Sequence, residues 1–461
     1  MPFARRLLAR ALAPLAWFAA GCSFDAFGLG STTEVELPGT TVNSSGDAGD
    51  TGDVEGSGTT AAGTSTGLAS TAESSGSSSE GEPCPDGCPP MAAWTVAGDG
   101  VGWALVIDDA GDAIVGGELP QTGDPTYRDV WVAKFAGADG GLVWQMRHAG
   151  LGKRSDFAHA LALAADGTIV AVGGSREDID RRLDLWVGWI APVNGTLMSG
   201  SNLSTGHWNG EEAKLDEWAE GVAITEGGDI VVGGMRCQVP CQVPDGWIGR
   251  FTGAGLSTWL DPMLSVGQGG IRDVTIQASE LVAVGTDGYA GTMAPWRSVV
   301  RRFDGDGAGT WSALQEASSE GVGFEATAAA VGPDGRLWVV GRESDPTGGF
   351  VRVYMPDSDD DPVLEAHAGQ LGGKPAAITI ADDGTVVLAG SAGDGIARHL
   401  WFGRFAADLS PLWAVDEPKE FAREARGVVS AGDGAWIVLG LRDIEPGGAP
   451  SVLRKYTLPP M

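Results

Sequence analysis

Histidine is nearly missing from this sequence: five occur in 461 residues. They are too scattered to form a Ser-His-Asp order or a metal-binding helix, and no phosphate loop is legible. Basic residues are also scarce, 30 against 61 acids, for a net charge of −31. A surface this acidic repels phosphate backbones and anionic lipid head groups, which argues against nucleic-acid binding. No uninterrupted apolar run reaches the length of a membrane-spanning helix. Cysteine is limited to five positions. Conventional catalytic motifs are therefore absent from the linear sequence.

What is abundant is glycine, 73 residues, together with 17 tryptophans and many short apolar runs. That combination points to all-β structure with frequent turns. Seven copies of one unit run through the chain after residue 90. Aligned on the glycine that ends the second strand, they fall at Gly117, Gly173, Gly234, Gly285, Gly341, Gly390 and Gly440, at intervals of 49–61 residues. In each unit an apolar strand such as "HALAL" (159–163) meets a tight glycine turn. A second strand such as "TIVAVGG" (168–174) follows, then an aromatic-rich third such as "LWVGWI" (185–190). A fourth strand is visible in four copies, for example "LVWQM" (142–146) and "PLWAV" (411–415). The turn glycines (Gly111, Gly167, Gly228, Gly335, Gly384, Gly434) supply the positive φ that hairpins need.

Four-stranded units at this period predict a β-propeller. The last copy ends after its third strand, and "AAWTV" (92–96) precedes the first copy without a partner. Pairing that segment with the strand of Tyr456 closes a seven-bladed ring over residues 91–461 and removes the exposed sheet edges.

The unit, in its "D-x-W-V-x-K/R-F … D-G … W" and "A-x-A-x-x-x-D-G-x-h-x-h-x-G" runs, resembles the bacterial secreted-protein β-propeller repeat (SBBP type). The resemblance spans nearly all of 91–461 and implies a propeller in an exported protein. It brings no common catalytic residues. A weaker likeness to quinoprotein propellers lacks their regular tryptophan-docking glycine motif.

The N-terminus reads as an address. Residues 1–21 combine Arg5, Arg6 and Arg10 with an apolar stretch and a small-residue exit, the layout of a secretory signal. Ala19, Ala20 and Gly21 before Cys22 resemble the bacterial lipoprotein signal, with Ala19 where leucine is preferred. The resemblance implies cleavage before Cys22 and lipidation there, so that the chain is exported and held to the cell envelope, at the outer membrane. An ordinary secreted protein with Cys22 unmodified is the alternative. Residues 22–90 carry 11 acids and no base in a Gly/Ser/Thr-rich background, too apolar-poor to offset chain entropy, and read as a disordered tether. Cys84 with Cys88, and Cys237 with Cys241, are close pairs in an exported chain, which favours disulfides over metal ligation or free thiols.

Two groups of candidate binding residues emerge. The first residues of the innermost strands, Trp103, His159, Glu220, Arg272, Thr327, Ala376 and Arg426, vary where their neighbours are uniform, and predict either a specialised pocket or a wet channel mouth. Just behind them Ala104, Ala160, Gly221, Ala328, Ala377 and Gly427 are all small, as converging blades require. Tyr127, His207, Trp208, Tyr289 and Trp296 fall in connections on that same end, where they serve a ligand or pack their own loops. The acidic runs 304–307 and 357–361 read as calcium ligands or as solvated turns, and no other cofactor or metal is implied. The expected function is an envelope-anchored platform for an envelope or extracellular protein or glycan. The alternative is a propeller enzyme (lyase, glycosidase or quinoprotein-like) using the axial pocket, and a part in outer-membrane protein assembly follows by analogy alone.

Overall fold

A computed structural model describes residues 88–122, 124–150, 155–176, 183–202, 215–238, 244–253, 255, 257–261, 269–287, 296–315, 322–344, 348–356, 361–432, 434–442 and 450–459. Residues 1–87, which hold the signal, Cys22, Cys84 and nearly all of the tether, lie outside this set, as do His207, Trp208, Cys241, Tyr289 and residues 357–360.

Among the described residues, twenty-eight strands form seven four-stranded antiparallel sheets, six of them built from four consecutive strands. The innermost strands are Val101–Ile107, Phe157–Leu163, Leu215–Ile224, Gly270–Gln277, Phe324–Val331, Lys374–Ile380 and Glu424–Ser430, numbered here as blades 1 to 7. Each packs beside the next, and the seventh packs beside the first, so the inner strands surround an axis. Blade 7 takes its outer strand from the front of the domain. Met91–Gly98 pairs with Ser451–Thr457 from Met91↔Thr457 to Gly98↔Ser451, as the unpartnered "AAWTV" segment predicts.

Apolar cores fill the wedges between blades, because alternate residues of every strand face one neighbour or the other. Between blades 1 and 2, for instance, Ile114, Val130 and Trp144 meet Leu161 and Trp186. The six turn glycines read from the sequence all have φ between +69° and +82°, and in blade 4, which lacks one, Ala278 takes +56°. Two outer strands escape sequence reading, Leu197–Asn202 and Leu364–His367. The first is "LMSGSN", too polar to show alternation, and the second has only four residues before a helical turn, Ala368–Leu371.

One irregularity recurs in all seven blades. Each innermost strand carries a β-bulge against its neighbour: Ala158 pairs with Gly173 and Ala160 with Val172, leaving His159 as the extra residue. The extra residues in the other blades are Trp103, Glu220, Arg272, Thr327, Ala376 and Arg426. The variable column of the sequence is thus a column of bulged residues. A bulge re-aims a side chain without disturbing the rest of the ladder.

The bulge also explains the repeat's fixed glycine. A Cβ on Gly173 would lie 2.0 Å from the Phe157 carbonyl oxygen, and five of the equivalent glycines meet the same carbonyl at 1.9–2.1 Å. Gly440 instead abuts Leu400 and Ala422. Replacing Gly173 by alanine forces the strands apart or flattens the bulge. Urea denaturation of the purified chain should show a loss of about 3 kcal/mol, at the upper end for overpacking. The Gly167→Ala change at the hairpin turn, strained only through its positive φ, should lose about 1 kcal/mol.

Candidate functional site

Because each bulge lies at the start of its inner strand, the seven bulged residues share one end of the ring with the connections between blades. Their side chains form a wall of interlocking contacts at the mouth. His159 Nδ1 lies 3.3 Å from Glu220 Oε1, and the His159 ring stacks on Phe157 at 4.2 Å between centroids. Trp103 meets His159 edge-on at 5.6 Å, and the guanidinium of Arg426 lies 5.3 Å from the centre of the Trp103 ring. Glu220 Oε1 accepts the Trp218 indole N–H at 2.6 Å and lies 3.7 Å from Arg272.

Arg272 continues the wall into blade 5, where its Nε donates to Glu325 Oε1 at 2.8 Å. Glu325 is only 3% exposed, and its other oxygen takes Arg342. A second carboxylate, Glu424, bonds Arg398 of blade 6 and Arg426 of blade 7. Two Arg–Glu–Arg triads therefore flank the bulged residues of blades 5 and 6, the small Thr327 and Ala376. The column drops there, leaving a notch between the triads. The sequence column contains half of this arrangement. Glu325 and Glu424 come from the position two before the bulge, and Arg342 from the position after the closing glycine.

Electrostatics follow from this packing. Burial works against the charge of Glu220, but His159, Arg272 and the Trp218 indole outweigh it and hold the carboxyl at about 2. Burial likewise opposes ionisation of Glu325, and Arg272 with Arg342 hold it below the ordinary range. Burial lowers Arg426, and the neighbouring Arg342, Arg398 and Arg272 lower it further against the pull of Glu424. Its Nε has no hydrogen-bond partner among the described residues.

A depressed carboxyl stabilises the fold at pH values above its unfolded pKa, and that contribution is lost as pH falls through the folded one. The Glu220 contribution is therefore complete above about pH 4.5 and disappears toward pH 2. Urea midpoints of Glu220→Gln and the parent should differ at pH 6 and converge toward pH 2.

One side chain interrupts the small column behind the bulges. Blade 4 places Asp273 where the other blades have alanine or glycine, and its Oδ2 accepts the Ala329 N–H of blade 5 at 2.9 Å. Burial pushes this carboxyl up to about 7, with the Ala329 and Val274 amides offsetting only part of the effect.

Of the loop candidates, Tyr127 and Trp296 fall among the described residues. Tyr127 lies within the third strand of blade 1, Asp124–Phe135, and is half-buried. The ladder between the second and third strands runs past Pro120, through Pro120↔Arg128 to Gln121↔Asp124. What reads as a long connection is a short hairpin turn. Trp296 is half-buried just before its strand, and its carbonyl accepts the Phe324 N–H of the next blade at 2.8 Å. Of the acidic run 304–307, Asp304 Oδ1 accepts the N–H groups of Asp306 and Ala308 at 3.0 and 2.9 Å, capping its own turn. Cys88 precedes the first strand, and Cys237 is buried near the end of its strand. No group of three metal-ligating side chains occurs among the described residues. Nor does a helix long and apolar enough to cross a membrane.

No known family profile matches the sequence, and no curated protein resembles it. Solved structures with a similar course include BamB from Moraxella catarrhalis, at 12% identity, covering 79% of this chain and 88% of that one, with a TM-score of 0.44. Quinohemoprotein alcohol dehydrogenase from Comamonas testosteroni matches at 11% identity over 81% and 78% of the two chains, with a TM-score of 0.46. The polysaccharide lyase Uly1 matches at 10% identity over 78% and 90%, with a TM-score of 0.48. Likenesses this distant assign no function.

Proposed function

We propose that this chain is an exported, lipid-anchored propeller that binds a protein or glycan of the cell envelope at its bulged mouth. The observation that carries this reading is the seven-fold bulge. Each blade uses the same backbone device to present a side chain at one end of the ring, and the side chains so presented differ in charge and size from blade to blade. A fold needing only closure has no use for Arg, Glu, His and Trp in register at one mouth, whereas a binding surface does.

The anchor rests on the residues before Cys22, and the pairings Cys84–Cys88 and Cys237–Cys241 suit an exported chain. Cys22→Ala should move the protein from the membrane pellet to the soluble envelope fraction and remove the lipid mass from its N-terminal peptide. Full recovery of the variant in the membrane pellet would overturn the anchor.

A propeller enzyme is the second reading, favoured by Asp273, an axial carboxyl able to exchange a proton near neutrality. Native mass spectrometry of the chain purified from its own envelope, before and after chelation, separates the two. A platform gives the polypeptide mass with or without a macromolecular partner. A stoichiometric small molecule, or a mass lost with the chelator, supports the enzyme or a calcium site.

A further inference from the structure

The notch over blades 5 and 6 has chemistry of its own. Its floor is Thr327 and Ala376, the two smallest bulged residues. Thr327 is held in place because its hydroxyl faces the carbonyls of Val340 and Ala376, both at 3.3 Å. One wall is Arg272–Glu325–Arg342 and the other Arg398–Glu424–Arg426. In each triad one carboxylate serves two guanidiniums, so each wall carries an excess positive charge. Arg342, Arg398 and Arg426 keep 54%, 42% and 34% of their side-chain surface exposed. Guanidinium forks held this way match the oxygens of an anion.

Charge counting narrows the anion. Four guanidiniums (Arg272, Arg342, Arg398 and Arg426) face Glu220, Glu325 and Glu424 around this half of the mouth, with Lys374 two positions before the bulge of blade 6 and His159 beside Glu220, so cationic groups are in excess. The excess calls for an anion, and the three carboxylates beside it weigh more against a dianion than against a single charge. The long-range field selects further. Setting aside the 11 acids of the tether and the three arginines of the signal, residues 91–461 hold 50 acids against 27 bases, net −23. A body so acidic repels a polyanion, including a polyuronate, before it reaches the mouth.

We propose that the notch over Thr327 and Ala376, walled by the two Arg–Glu–Arg triads, binds one carboxylate at the end of an otherwise uncharged or basic polypeptide, as a chain's C terminus presents it. This rests on the mouth being the binding surface and names the group it takes. The carboxylate sits between Arg342, Arg398 and Arg426, and the mutual repulsion of those guanidiniums is relieved when it arrives.

The test is calorimetric titration of the full-length, detergent-solubilised protein with acetyl-Ala-Lys-Ala bearing a free C-terminal carboxylate. Its C-terminal amide, inorganic phosphate and trigalacturonate serve as comparisons. The free acid should bind at least tenfold tighter than each of the other three. Ala376→Glu tethers a carboxylate in the notch, so it should weaken the free acid at least tenfold while the melting temperature holds or rises. Arg426→Met should weaken binding as well. Equal binding of acid and amide, or no binding of either, would sink the proposal, as would an Ala376→Glu variant that binds normally. Tighter binding of trigalacturonate would assign the notch to an acidic saccharide instead of a polypeptide. Should no probe bind while a partner still cross-links to the mouth, the carboxylate inference fails and the platform stands. Loss of both would remove the platform too.

Discussion

Deleting Met91–Gly98 should abolish the folded propeller. That segment is the outer strand of blade 7, hydrogen-bonded to Ser451–Thr457 and continuous in the chain with the first strand of blade 1, so it ties the two ends of the ring together. Without it Ser451–Thr457 becomes an unpaired edge, and unpaired edges recruit other chains. Contacts across the seam go with it. Trp94 donates its indole N–H to the Gly137 carbonyl of blade 1 at 3.1 Å, and Arg454 Nε donates to Thr95 at 2.7 Å. The contacts that remain, Lys455 to the Gly137 carbonyl at 2.7 Å and the Gly102 amide to Ser451 at 2.7 Å, no longer have an intact sheet behind them. We expect a truncated chain starting at residue 99 to be recovered as aggregate. A synthetic peptide covering residues 91–98, supplied during refolding, should restore part of the soluble yield by strand addition. A soluble truncated monomer with the parent's melting temperature would show that closure does not depend on this strand.

The second large effect centres on Glu325. Glu325→Ala removes the carboxylate that two arginines share, leaving Arg272, 22% exposed, facing Arg342 with partial compensation from Glu220 at 3.7 Å. Removing one partner from a buried ion pair costs about 3–5 kcal/mol. Arg342 is 54% exposed and solvent screens part of the repulsion, so the lower half of that range applies, about 3 kcal/mol. The triple change Arg272→Met, Glu325→Leu, Arg342→Met replaces the whole triad with apolar side chains of similar volume. Such replacements leave stability near or above the parent's. The two variants separate fold from function. Glu325→Ala should be unstable, while the triple variant should be stable yet unable to hold a carboxylate in the notch. Equal stabilities in urea denaturation would mean that the triad is not the tight unit described here.

The propeller is legible in the sequence because its requirements are local and repeated. The turn glycines lie within two or three residues of the strands they join, and the closing strand shows itself as a segment without a partner. The column of bulged residues is legible too, as variation at one position of a regular repeat. Its cause is not, since a bulge is visible only when two strands are laid side by side. The site's other half stays hidden for a related reason. Glu325 reaches Arg272 across a blade boundary, 53 residues apart in the chain, and Arg342 arrives from the second strand. A usable signal does exist in the positions two before the bulge and one after the closing glycine, where Glu325, Glu424 and Arg342 stand. Asp273 was readable as the one charged residue in a column of alanines and glycines. Tyr127 reads as part of a connection, yet the third strand of blade 1 already begins at Asp124 and includes it.

The most direct test of the bulged mouth as the binding surface is site-specific photo-cross-linking in the native envelope. A benzophenone amino acid at Thr327 lies on the floor of the notch, and one at Asp166 lies on the turns at the opposite end of blade 2. The account predicts a discrete, reproducible adduct from position 327 that disappears in the Ala376→Glu background, and none from position 166. Equal labelling from both ends, or adducts from position 166 alone, would contradict it.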